Sequence, residues 1–170
     1  TAEVLRNGGS ESLSGDKLDA ALDARGAQIN AGAEREETWI GLSVLPEDLA
    51  WGMGVMSDLL AHPAFPADKL DEARGRANVD LKQRLDTPLS ATRALFPQLL
   101  YGKGNPWGGT QTEKSLAALT IADLKAVHAK YYRSDRMSIG ITGAVAFDKA
   151  KELAAKYFGP DRFQKVEKSA

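Results

Sequence analysis

His62 and His128 are the only imidazoles in the sequence, and there is no cysteine. Those counts bound the chemistry at once. Without thiols the chain makes no disulfide, iron–sulfur cluster, thiolate zinc site or cysteine nucleophile. The compartment stays open, because a periplasmic protein can also lack cysteine. The two histidines lie too far apart in the chain to form a His-x-x-x-His metal pair. Neither has a serine or acid partner that the sequence makes visible, and no Gly-x-Ser-x-Gly elbow is present. His62 precedes a proline at an expected helix end, the place of a cap or a surface side chain. His128 falls on an apolar helix face and reads as a satisfied core histidine. The glycine-rich stretch from Tyr101 to Gly109 lacks the spacing and the strand–turn–helix setting of a phosphate cradle, so it reads as a surface loop. The charged segment 67–86 reads as a solvated helix face. On chemistry alone the chain offers no active site.

The elements that would position these residues follow from periodicity and punctuation. The chain opens inside a helix that stops at Asn7-Gly8-Gly9. Ser14 is the expected N-cap of a second helix reaching Ala24, with Leu18, Ala21 and Leu22 at helical spacing and Gly26 as its stop. Residues 28–33 and 38–45 read as strands, the second with Ile40, Leu42 and Val44 on one face, and Glu34 to Glu37 link them as a hairpin. Three helices follow. One opens at Pro46 and ends at His62-Pro63, a long charged one runs from Pro66 to about Leu85, and one opens at Pro88. The last is expected to turn Leu89, Thr92, Leu95, Phe96 and Leu99 inward. Thr120 to Asp123 resembles a capping box, starting a helix with Leu124, Val127, His128 and Tyr131 inward. A strand is expected at residues 136–143, then an amphipathic helix from Phe147 to Phe158 and a polar tail at 164–170. The order suggests an α+β fold: a small, mainly antiparallel sheet with helices packed on one face.

The 170 residues carry a net charge of −1, with 43% hydrophobic and 26% charged side chains. This balance is that of a folded globular chain and gives no general attraction to nucleic acid or anionic membrane. No apolar run reaches the roughly 20 residues a membrane span needs. Thr1 is not followed by a basic start and an apolar run, so no signal peptide is read. A start inside a helix suggests a fragment of a larger protein.

Several segments recur together in one family. They are Gly26-Ala27-Gln28-Ile29-Asn30-Ala31, Arg35-Glu36-Glu37-Thr38, and Leu59-Leu60-Ala61-His62-Pro63-Ala64-Phe65-Pro66. Further on come Asp86-Thr87-Pro88, Leu100-Tyr101-Gly102, Asn105-Pro106-Trp107-Gly108-Gly109-Thr110, Leu116 to Thr120, Tyr131-Tyr132 and Lys156-Tyr157-Phe158-Gly159. Their order and approximate spacing resemble the insulinase-like family, which includes pitrilysin and the mitochondrial processing peptidases. The resemblance implies the processing-peptidase-like metallohydrolase fold: a single insulinase-like domain over residues 1–163, a fragment lacking its N-terminal strands.

Catalytic members of that family hold zinc with an inverted His-x-x-Glu-His motif and a distal Glu. Three ligands leave one zinc position open for water, and the motif Glu takes its proton. In the register set by Gly9 and Gly26-Ala27, Glu3 falls on the motif Glu and Val4 on the second His. Asp80 falls on the distal Glu ligand and Ala73 on a supporting Glu. Valine cannot bind a metal, so the resemblance implies zinc in catalytic relatives but no cofactor in this chain, and Glu3 reads as an ordinary helix carboxylate. Halves of this kind pair with a catalytic half around an extended peptide. The expected role is therefore a non-catalytic domain, part of a substrate-chamber wall, partnered by a second insulinase-like domain or subunit. Asn30 and Ala31, on the strand whose family counterpart pairs with substrate, are the candidate peptide-binding residues. Two alternatives stay open: an active zinc endopeptidase in the full-length protein, and a structural core subunit. Bacterial relatives suggest the periplasm.

Overall fold

The computed structural model describes residues 1–102 and 104–163; the tail expected at 164–170 lies outside them. In chain order it forms α1 (Ala2–Gly8), α2 (Gly15–Asp23), β1 (Gln28–Ala33), β2 (Thr38–Ser43), a 3-10 turn (Pro46–Asp48) and α3 (Leu49–Ala61). There follow α4 (Ala67–Gln83), α5 (Pro88–Tyr101), α6 (Glu113–Ala118), α7 (Ile121–Tyr131), a second 3-10 turn (Ser134–Arg136) and α8 (Phe147–Phe158). The described residues divide into two compact units, one of Thr1–Pro66 with residues 122–163, the other of Ala67–Ile121.

The first unit is α+β. β1 and β2 pair antiparallel, with Gln28 opposite Ser43 and Ala33 opposite Thr38. Strand alternation puts Ile29, Ala31, Ile40 and Leu42 on one face and Asn30, Trp39 and Ser43 on the other. The first set is buried or half-buried and the second exposed, so helices cover one face only. α1 packs on β1 and touches α2 and α3. Val4 and Leu5 from α1, Leu18 and Leu22 from α2, Leu59 from α3 and Ile29 from β1 are all buried. Each such side chain contributes about 1.5–3 kcal/mol relative to leaving it in water. α3 also packs against α8, around a core of Met53, Leu60, Leu153, Phe158 and Phe163. Ser57, buried on α3, donates its hydroxyl to the Tyr157 carbonyl of α8, which satisfies a polar atom inside an apolar core.

In the second unit α6 packs on α4, burying Leu70 and Leu116. Arg74 of α4 donates to the carbonyls of Leu116 at 3.1 Å and Leu119 at 2.6 Å, tying the C-terminal end of α6 to α4. α5 starts with a capping box in which Thr87 and Ser90 satisfy each other's backbone N–H.

Four sequence expectations need correction. On α7 only Leu124 is buried, and Val127 and Tyr131, expected inward, are exposed, because among the described residues nothing covers their side of the helix fully. The row Leu89, Thr92, Leu95, Phe96 and Leu99 does not face inward: no residue of α5 is buried, and Leu99 is 84% exposed. Periodicity says which side chains share a face, not that another element covers it. Residues 136–143 do not form a strand among the described residues: they hold the end of the second 3-10 turn and an unpaired stretch. A strand exists only by pairing, and the alternation of Met137, Ile139 and Ile141 supplies no partner. Residues 136–142 instead line an open groove of about 1070 Å³, together with residues 34–38 and 40–44, Met53, Leu60 and Phe158. Finally, α6 was not anticipated. Its signal was present as Thr112 and Ser115, which form a second capping box.

Candidate functional site

α1 ends where Gly9 turns to φ +75°. A Cβ there would lie 2.2 Å from the Leu13 carbonyl oxygen, so only glycine fits this stop. On the helix before it, Glu3 is exposed and Val4 is 2% exposed. Val4 thus presents a buried isopropyl group, which has no lone pair to offer a metal. Ala73 and Asp80 lie on α4 in the other unit, Ala73 half-buried and Asp80 exposed. Among the described residues no group of three or more His, Cys, Asp or Glu could hold a metal ion. Of the two expected ligand positions Val4 carries no donor atom and Asp80 offers one carboxylate, while Ala73 supplies no supporting carboxylate; these residues do not fit zinc.

The histidines are engaged elsewhere. His128 lies edge-on to Phe65 and against Tyr132, and its Nε2–H donates to the Leu60 carbonyl at 2.7 Å. Its hydrogen bond is satisfied, as expected, but the ring is half-buried rather than in the core. His62 is exposed and its Nδ1 lies 3.2 Å from Asp58 Oδ1. That corrects the expectation that neither histidine has an acid or serine partner. Ser10 and Ser12 both donate to Asp58 Oδ2 at 2.5 Å, so serine, acid and histidine do meet. The order is wrong for nucleophilic catalysis. Both hydroxyls give their protons to the carboxylate, whereas an activated serine gives its proton to the imidazole. The cluster ties the loop after α1 to α3. The i, i+4 spacing of Asp58 and His62 was the available signal.

The hairpin carries the other candidate residues. The Glu34 N–H donates to the Glu37 carbonyl at 2.8 Å, which makes Glu34 and Glu37 a hydrogen-bonded pair. Pairs alternate along an antiparallel ladder. In the observed register, Gly32–Trp39, Asn30–Gly41 and Gln28–Ser43 are then also hydrogen-bonded pairs. Ile29, Ala31 and Ala33 must point their N–H and C=O groups away from β2. The structure agrees at one of them, where Arg6 Nε donates to the Ile29 carbonyl at 2.5 Å. Ala31 therefore offers its backbone outward. Asn30 turns its backbone to Gly41 and presents its amide on the exposed face. On that face the Trp39 ring fills the space over Gly32, where a Cβ would come within 2.6 Å of it. Arg6 and Trp39 were not anticipated. Arg6 acts 23 residues away along the chain, beyond the reach of any local pattern.

Residues 3–100 match the family described as Insulinase (Peptidase family M16), and residues 118–164 match the Peptidase M16 inactive domain. The chain belongs to the insulinase family. Over 142 residues it is 28% identical to an uncharacterized zinc protease of Mycobacterium leprae, covering 82% of this chain and 32% of that relative. The chain thus spans about a third of the length of the curated relatives it matches. Among solved structures, the peptidase M16 inactive domain from Pseudomonas fluorescens superposes with a TM-score of 0.83 at 21% identity, over 96% of this chain and 40% of that one. The periplasmic protease PqqL of Escherichia coli superposes with a TM-score of 0.75 at 18% identity, over 92% of this chain and 18% of that one. The insulinase-family fold thus carries, in this chain, an inactive-domain segment and a first helix without a metal ligand at Val4.

Proposed function

We propose that this chain is the non-catalytic half of an insulinase-family zinc protease, pairing with a second insulinase-like domain or subunit that bears the metal. Its role is to form part of the wall around an extended peptide. The observation that carries this reading is Val4, a buried, donorless side chain, which in the register drawn from the family resemblance stands where the second His would be. The lengths of the M. leprae relative and of PqqL support a further domain beside this one. The edge of β1 supports peptide contact, since Ala31 and Ala33 offer outward N–H and C=O groups that an extended chain can pair with. In this reading Ala31 pairs through its backbone and Asn30 through its side chain. Glu3 and Asp80 are ordinary surface carboxylates, and zinc resides in the partner. The periplasmic protease among the similar structures supports a periplasmic location.

The test uses the full-length parent protein together with its partner, and reads zinc stoichiometry and cleavage of a quenched fluorescent peptide. The expected result is that Glu3→Gln and Asp80→Ala change neither. Zinc lost with Asp80→Ala, together with cleavage lost on Glu3→Gln, would make this chain an enzyme in its own right. Stable assembly with no peptide binding at all would make it a structural core subunit.

A further inference from the structure

We infer that Arg6 is a register stop on the β1 edge, deciding how much of a docked peptide can pair. The inference rests on the reading of β1 as a peptide-binding edge. An added strand bonds only to the outward residues of its host, here Ile29, Ala31 and Ala33. The Ile29 carbonyl already accepts from Arg6 Nε at 2.5 Å. Arg6 is itself held from the other side, its Nη2 lying 2.8 Å from Asp19 Oδ1 of α2. With two anchors on a side chain only 19% exposed, the guanidinium is fixed in the lane a peptide backbone would follow. A carbonyl bond to a charged donor is also stronger than one to a peptide N–H, so an incoming strand does not displace it. The peptide pairs with Ala31 and Ala33, then leaves the sheet at Ile29. The recognised class is a short extended segment. Its residue opposite Ile29 needs no free N–H, so proline is accepted there.

The experiment measures binding of a fluorescein-labelled peptide of alternating threonine and valine, flanked by lysines, with each backbone nitrogen methylated in turn. Methylation removes one N–H and costs about five-fold in Kd wherever that N–H is bonded. For the wild-type chain, sensitive positions should map only to the stretch opposite Ala31 and Ala33. Arg6→Met should add one more sensitive position, opposite Ile29, and tighten binding about five-fold. Arg6→Lys, which keeps a cationic donor, should restore the shorter pattern. Asp19→Asn, a gentler change that loosens Arg6 while leaving it in place, should give an intermediate result. Circular dichroism and thermal melting confirm that each variant is folded. A wild-type pattern already extending to Ile29, or one that Arg6→Met and Asp19→Asn leave unchanged, overturns the stop while leaving the peptide edge intact. No methyl-sensitive position in any variant overturns the peptide edge, and the stop with it.

Discussion

Asp58 and His128 show how single residues couple this fold to pH. Partial burial pushes the Asp58 carboxyl up, but the hydrogen bonds from Ser10, Ser12 and His62 outweigh it and hold the group below the ordinary carboxylate range. Its contribution to stability is complete above the unfolded value, near pH 4, and is lost as pH falls through the lower native value. Asp58→Ala, which strips the acceptor from the buried Ser10 hydroxyl, should cost about 1–3 kcal/mol in urea denaturation at pH 7. The same variant should lose part of the acid-limb slope. His128 works at a higher pH. Burial lowers its pKa, and the charge of His62 adds to this against the opposing bond to Leu60. The unfolded chain then binds the proton more readily, so stability falls as pH drops below about 6.5. His128→Gln should flatten that part of the stability–pH curve; an unchanged slope would assign it to other groups.

At the scale of elements, tight packing and open space give glycines opposite roles. A Cβ on Gly15 would lie 2.0 Å from the Asn7 carbonyl oxygen, backbone that cannot move aside without parting α2 from α1. Gly15→Ala should therefore destabilise by about 2–3 kcal/mol in thermal or urea unfolding. Gly75, inside α4, has nothing within 4 Å of its would-be Cβ. Gly75→Ala should stabilise by roughly 0.5–1 kcal/mol, since alanine loses less backbone entropy in a helix. Equal effects of the two changes would mean that the contact between α1 and α2 is looser than described. Most element bounds were legible in the sequence. The expected strand at 28–33 and helix at 147–158 are β1 and α8 with the same limits, because each carries an unbroken period between turn residues. The stretch 136–143 was not legible, because its alternation was real but its pairing depends on a neighbour. α5 shows the same limit: its apolar spacing forms a helix, yet nothing local says what the helix covers.

For the whole molecule, the chain should not retain zinc in native mass spectrometry, nor should it cleave a quenched peptide when zinc is added. Metal-dependent cleavage by this chain alone would overturn the proposed role as a non-catalytic half. That Val4 has no donor atom follows from its residue type alone. The rest of the candidate site was only partly legible. Asn30 and Ala31 could be placed on a strand from their neighbours, but not told apart. The ladder separates them: Ala31 offers its backbone outward, while Asn30 turns its backbone inward and shows its amide.

What the sequence by itself determined was whatever depends on residue type and near neighbours. Helices and the hairpin follow from spacing and turn residues, thiol chemistry is excluded by composition, and the lack of a donor atom at Val4 is set by its identity. The tertiary structure alone decided which side chains meet across long stretches of chain. Arg6 reaches Ile29, Ser10 and Ser12 reach Asp58, and His128 reaches Leu60. These bonds join groups on different elements, so their existence depends on how the helices pack against the hairpin and against one another. Local propensity shapes each element but carries no record of the neighbour it will meet.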